Sequence, residues 1–381
     1  DAEALVKALP SSVRSIAVLD RTKEPGSAGE PLYVDMVTAL QEQIAGRKKR
    51  FDIRPRVTGG RYGLSSKEFT PSMIRSVFSE LKKPEPKNHF TIGIYDDVTN
   101  TSLTFNGTPV RPKGNKFEAL FYGLGSDGTV SANKNSIKII GDHTDYKVQG
   151  YFVYDSKKAG ATTTSHLRFG EEPIRSAYLI EEADFIGCHQ PGFLEKPGFL
   201  TNIRQGGTLL LNAPWSKEKV WNFIPAEVQK QIVEKKLQFY MIDAYKVAKE
   251  SGLADRINTV MQVCFFAVTD IIESKKASGY IKDAIKKTYG RKGRDITEAN
   301  IRAVDNTLES LTEVDVEEYS DVYNRGTEGF RKQNRVVSDK APDYVQDVIA
   351  EIISGRGDEL PVSVFPVDGT FPSGTSQWEK R

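Results

Sequence analysis

The sequence predicts an α/β protein: two domains with mainly parallel sheets flanked by helices, followed by an extended C-terminal connector. Three observations predict it. Short β-branched and aromatic runs recur along the chain, with stretches of helical spacing between them. One of these runs, 119–122, feeds a Gly-x-Gly-x-x-Gly at Gly123, Gly125 and Gly128, and a helix-compatible stretch follows at once. Hydrophobic residues at 38% and charged residues at 27% of a 381-residue chain are the balance of a folded protein, long enough for roughly two or three domains.

Taken in order, 15–20 (SIAVLD) reads as a buried strand, 31–45 as a helix, 70–81 as a helix with Thr70 as cap and Pro71 in its first turn, and 89–94 as a strand. Residues 106–115, NGTPVRPKGN, combine two Pro and two Gly with polar residues and read as a linker. Beyond it, strands are expected at 119–122, 149–154, 176–180, 207–211 and near Leu237, with helices between them, an alternation that favours a mainly parallel sheet. The region 260–311 reads as helical, and Met261, Val263, Cys264, Phe265, Phe266, Val268 and Ile271 form a core face. After Gly329 a polar stretch at 331–337 and a short helix at 342–354 lead to a segment punctuated by Pro361, Pro366 and Pro372. Few apolar residues are available there to offset the entropy of ordering, which predicts partial disorder.

The chemistry concentrates at the glycine run. Glycines let the backbone turn tightly and approach a ligand, and the N–H groups and dipole at a helix start favour an anion. The run 148–155, VQGYFVYD, is expected to be the second strand of a βαβ unit, ending beside that loop at the carboxyl edge of the sheet. Two chemistries compete there. Asp155 could accept the ribose hydroxyls of NAD, whereas Lys157 and Lys158 suit a ligand with additional phosphate, such as coenzyme A or NADP. The bland alternative is a tight turn with a solvated lysine pair.

Other residues invite a catalytic reading and do not support one. Ser165, His166 and Arg168 are sequence neighbours without a Gly-x-Ser-x-Gly elbow; the simpler expectation is that Ser165 caps a turn and Arg168 pairs with a carboxylate or phosphate. His89, His143 and His189 lack metal spacing, and Cys188-His189 is one adjacent pair where zinc needs three or four ligands, so neither a catalytic nor a metal residue is assigned. Cys188 and Cys264, the only cysteines, are expected to be reduced. The net charge of +2 gives no nucleic-acid surface. No apolar run approaches the ~20 residues of a membrane span and no signal peptide is visible, so no membrane partner and a cytoplasmic location are expected.

Four segments make the chain recognisable: GLGSDGTVSANKNSIKIIGDHTDYKVQGYFVYDSKKAGATTTSHLRFGEEPIRSAYLI from Gly123, SIAVLDRTKEPGSAGEPLY from Ser15, GGRYGLSSKEFTPSMIRSVF from Gly59, and FPVDGTFPSGTSQWEKR from Phe365. Over essentially its whole length the chain resembles the central region of the pyruvate:ferredoxin (flavodoxin) oxidoreductase family. Those enzymes join pyruvate to coenzyme A with loss of carbon dioxide, using thiamine diphosphate, magnesium and 4Fe-4S clusters in electron transport to ferredoxin or flavodoxin. The resemblance implies a partial transketolase C-terminal-like domain at 1–105, a linker at 106–118, a coenzyme A-binding domain at 119–329, and at 330–381 a connector toward an iron–sulfur domain. It implies an internal piece of a cytoplasmic homodimer of anaerobic metabolism, a piece inactive alone.

The residues agree with that division. Two separated cysteines cannot hold a cubane, and no Gly-Asp-Gly with a downstream Asn is present to hold magnesium for thiamine diphosphate, Asp127 and Asp368 standing in S-D-G and V-D-G. The start at Asp1 and the charged end QWEKR also fit an internal piece. Carried onto the matching motif, the resemblance implies that Gly125, Ser126, Gly128 and Thr129 line the coenzyme A phosphates and that Asn133, Lys134 and Lys158 supply amide and ammonium donors, with Asp127 capping the helix start. For Gly59-Gly60-Arg61-Tyr62-Gly63 it favours an interdomain or subunit contact over catalysis, the bland alternative being a tight turn after a strand with Arg61 on the surface. Two other readings stay open: a structural module without ligand, and an NAD site built on Gly123, Gly125, Gly128 and Asp155.

Overall fold

The strands gather into two sheets, whose central members, such as Ala183–Cys188 with all six residues buried, are covered on both faces. The computed structural model describes residues 1–45, 51, 53–63, 67–107, 116–125, 127–154, 162–196, 198–290, 293–319, 337–354 and 356–378. The chain divides into two units, Asp1–Val110 with Arg335–Arg381, and Arg111–Asn334.

In the first unit, β1 (Ser15–Asp20), β2 (Arg56–Arg61), β3 (Phe90–Ile92) and β4 (Ser102–Leu103) form a parallel four-stranded sheet in that order. Helices α1 (Ala2–Ala8), α2 (Pro31–Ala45) and α3 (Pro71–Leu81) accompany it. The Asp20 carboxylate at the end of β1 accepts the N–H groups of Leu32 and Tyr33 at 2.9 and 3.1 Å and so caps α2. Thr70 caps α3 by accepting the Met73 N–H at 3.4 Å, and Pro71 stands in the first turn, where its missing N–H costs nothing. The Gly59–Gly63 run does not present its arginine outward. Arg61 is paired with Glu30 at 3.1 Å and donates to the His89 carbonyl at 3.3 Å, while Tyr62 packs on Phe69 with ring centroids 4.7 Å apart.

The tail contributes a small core of its own from Val337, Ala341, Val345 and Ile349, with Trp378 packed against it. Its short helix is π-wound over Val345–Ile349 and α-helical over Ala350–Ile353. Tyr95 bridges to Pro361, the Val362 N–H donates to the Tyr95 carbonyl at 3.0 Å, and the Ser363 N–H donates to Asp97 at 3.0 Å. These contacts order a segment whose composition predicted partial disorder.

The second unit has β5 (Lys116–Leu124), β6 (Lys147–Tyr154), β7 (Thr162–Gly170), β8 (Ala183–Cys188), β9 (Ile203–Asn212), β10 (Gln238–Ile242) and β11 (Thr312–Val314). They form one sheet in the order β11-β10-β9-β8-β5-β7-β6. Strands β5, β8, β9 and β10 run parallel, while β7 is antiparallel to both β5 and β6 and β11 is antiparallel to β10. Both sheets are thus parallel at heart. Two expectations need correction. Residues 176–180 are not a strand, and β7 and β8 lie on either side of them. The strand ending near Asp155 is not adjacent to the glycine strand either, because β7 folds back between them.

Helices α4 (Thr129–His143), α5 (Lys217–Val220), α6 (Ala226–Glu234), α7 (Ala244–Glu250), α8 (Asn258–Thr269), α9 (Ser274–Tyr289) and α10 (Arg294–Ser310) cover this sheet. Ala119, Phe121, Leu167, Phe169, Phe185, Leu210 and Ile242 point to the face packed by α4 and α7 to α10, and Leu120, Ile186, Leu209, Leu211 and Phe239 to the face packed by α5, α6 and the turn Pro191–Glu195. Helix α8 is apolar over most of its surface and buried accordingly, its buried Thr259 and Gln262 being hydrogen-bonded. The segment after β7 is strapped over the sheet. Arg168 donates to Glu118 at 2.6 Å, to Gln149 at 3.0 Å and to the Tyr178 carbonyl at 2.8 Å, and the Ile180 N–H donates to His166 Nδ1 at 3.2 Å. Arg168 therefore pairs with a carboxylate, as expected, but Ser165 is an interior strand residue and caps no turn.

Candidate functional site

Strands β5 and β8 are adjacent and parallel, and their connections leave for opposite faces: β5 leads to α4, β8 to the turn Pro191–Glu195. Such a switch opens a crevice at the carboxyl ends of the strands. The glycine loop lies there. A Cβ on Gly123 would overlap the Thr129 side chain, so the bare glycine lets the first helical residue sit on the strand end. Gly128 has φ +90°, a left-handed conformation, and a Cβ there would lie 3.2 Å from Asn258 Cγ at the start of α8.

Asp127 closes the loop on itself. Its carboxylate accepts the Leu124 N–H at 2.7 Å and the Thr129 N–H at 2.8 Å, the capping role its charge predicts at a helix start. Two amide donors of the loop are thereby committed to a carboxylate. Thr129 is 1% exposed and its hydroxyl meets His189 Nδ1 at 2.8 Å, so the group expected on a phosphate faces the interior. Asn133 is 3% exposed, with Nδ2 buried and unpartnered, so its amide also faces inward from the helix. Lys134 does stand in solvent, its Nζ 5.3 Å from the Phe152 ring centroid on β6. Gly125 and Gly128 are half-buried in the loop. Ser126, Asp155, Lys157 and Lys158 lie outside the described residues.

The structure adds residues that no motif indicated. The His189 N–H donates to the Tyr122 carbonyl at 3.0 Å, its own carbonyl accepts from Asn212 Nδ2 at 2.9 Å, and Asn212 Oδ1 accepts the Ala244 N–H at 3.0 Å. Gln190 Nε2 donates to the Tyr245 hydroxyl at 2.6 Å. One polar relay therefore ties the loop to the ends of β8 and β9 and the start of α7.

Burial pushes His189 down to about 4, against the opposing pull of Asp127, and pushes His166 down to about 4 with help from Arg168. The Cys188 thiol is pushed up to about 12 by burial, and burial raises Cys264 as well; neither is a thiolate at neutral pH. The described residues bring no three His, Cys, Asp or Glu side chains into a metal-binding group. No helix among them is long and apolar enough to cross a membrane.

The histidine values carry a pH prediction. An unfolded imidazole takes a proton near pH 6.5, whereas these two resist it until about 4. Their contribution to stability is present above 6.5 and is lost as the pH falls toward 4. Urea unfolding should show a falling midpoint over that window, and His189→Asn, which keeps an acceptor for Thr129, should fall less steeply. An identical slope in the variant would show that His189 titrates normally.

An open α/β sheet with a parallel centre and a glycine loop at its switch point defines the class. Residues 118–310 match the family model for pyruvate ferredoxin/flavodoxin oxidoreductase, and the chain belongs to that family. Residues 331–381 match a second model, described as a domain of unknown function. The chain is 53% identical to the pyruvate-flavodoxin oxidoreductase of Nostoc sp. (strain PCC 7120), covering 100% of this chain and 32% of that protein. It is 53% identical to the probable pyruvate-flavodoxin oxidoreductase of Escherichia coli (strain K12), with coverages of 100% and 32%. To the pyruvate:ferredoxin oxidoreductase of Moorella thermoacetica it is 51% identical, with coverages of 100% and 31%. The chain spans about a third of the length of the curated relatives it matches.

Proposed function

We propose that this chain supplies the coenzyme A-binding part of an oxidoreductase that converts pyruvate and coenzyme A to acetyl-CoA and carbon dioxide, with electrons passed to ferredoxin or flavodoxin. The observation that carries the reading is a glycine loop at the β5–β8 switch point in a chain of this family. The backbone of Gly125, Ser126 and Gly128 and the ammonium groups of Lys134 and Lys158 hold the ligand's phosphates. Thr129 and Asn133 position α4 from beneath. Thiamine diphosphate, magnesium, the 4Fe-4S clusters and the redox chemistry belong to the remainder of a cytoplasmic homodimer, and this chain alone does not turn over.

In the full-length enzyme, Lys134→Ala should raise the KM for coenzyme A about tenfold with kcat little changed. That is the lower end of the ~1.5–3 kcal/mol of a hydrogen bond to a charged group, because Lys134 is solvated. Added salt should shrink the effect. An unaltered KM in both Lys134→Ala and Lys158→Ala would remove the site. One observation favours a second reading, a purely structural loop: Asp127 already occupies the Leu124 and Thr129 amides. Calorimetry with coenzyme A, NAD and NADP separates the readings, since a structural loop gives no binding heat with any of them.

A further inference from the structure

We infer that the Tyr154 ring is the platform on which the ligand's purine stacks, an inference that rests on the coenzyme A reading above. Tyr154 pairs with Thr163, and Thr163 in turn pairs with Gly123. The ring therefore stands level with the glycine loop, two strand spacings away, about 9.5 Å. A ribose and a phosphate bridge that gap.

The face is fixed as well. Val148 and Phe152 pack against the core on the side of α4, and the period of two places Tyr154 on the same side. Helix α4 runs back along β6 in step: Gly141 lies against Val148, Ile137 against Gly150, and Lys134 over Phe152. One turn further toward its start, α4 comes alongside Tyr154. A phosphate near Lys134 and the helix start would thus have an aromatic ring beside it. Phe152 is half-buried under Lys134, but Tyr154 is 57% exposed. An uncovered ring at the ligand edge is what base stacking uses, because every base has a π face and the contact is worth ~1–3 kcal/mol.

The test compares coenzyme A with 4′-phosphopantetheine, which lacks the adenosine and the two phosphates attached to it, as ligands of the full-length enzyme by calorimetry. Tyr154→Ala should weaken coenzyme A by roughly fivefold to a hundredfold, leave phosphopantetheine unchanged, and preserve far-UV circular dichroism. Tyr154→Phe, which keeps the ring, should bind coenzyme A as the wild type does. Unchanged coenzyme A affinity in Tyr154→Ala, or equal weakening of both ligands, overturns the inference and leaves the coenzyme A reading standing. Failure of the wild-type enzyme to bind coenzyme A removes both.

Discussion

Arg168→Met is expected to destabilise the chain by about 3–5 kcal/mol, the usual cost of removing one partner from a buried ion pair. Arg168 is 1% exposed. Without its guanidinium the Glu118 carboxylate stays buried opposite a thioether, and Gln149 and the Tyr178 carbonyl lose their donor. The Ile180–His166 and Gln149–Ser176 bonds of the strap over β6 and β7 remain. Equilibrium urea unfolding measures the loss. The double variant Glu118→Leu/Arg168→Met should recover most of it, since a buried pair exchanged for apolar groups of similar volume is often neutral, and a double-mutant cycle gives the coupling. A cost below about 1 kcal/mol for Arg168→Met would mean that the strap is anchored elsewhere.

Phe265→Ala should cost a comparable ~3–5 kcal/mol, as large aromatic truncations in a core do. Its ring lies 5.1 to 5.2 Å from those of Phe121, Phe185 and Phe266 and 6.3 Å from Phe169, so the cavity would open where α8 meets the sheet. Phe223→Ala is the control. That ring stacks on Trp215 at 4.5 Å but is 51% exposed, and its removal should cost far less. Equal losses for the two would show that burial is not what holds α8.

The glycine loop, its strand and its helix were legible because each is local: glycines, an apolar run and a periodic stretch in succession. Helix α3 was legible for the same reason, through Thr70 and Pro71. Strand β7 was not. Only Leu167 and Phe169 on it look like core, and its other face carries His166 and Arg168, which become strand-compatible only once Ile180, Glu118 and Tyr178 satisfy them. Conversely, 176–180 looks apolar enough for a strand, yet its backbone is pinned by side chains instead of a ladder.

Thr129 and Asn133 face inward from α4, and the helical period already contained that orientation. Thr129, Ala132, Asn133, Ser136 and Ile140 form one buried stripe, and Lys134 falls off it. His189 gave no local sign at all. Its place follows from β8 lying beside β5, a long-range fact.

The first unit is assembled from Asp1–Val110 and Arg335–Arg381, with all of the second unit between them in sequence. A ribosome adding ~5–20 residues per second leaves the earlier stretch waiting for tens of seconds. Until the later stretch emerges, the Tyr95 carbonyl and the Asp97 carboxylate lack Val362 and Ser363. All four strands of its sheet are made early, but the contacts of Tyr95 and Asp97 with the tail can form only after the whole of the second unit has been synthesised.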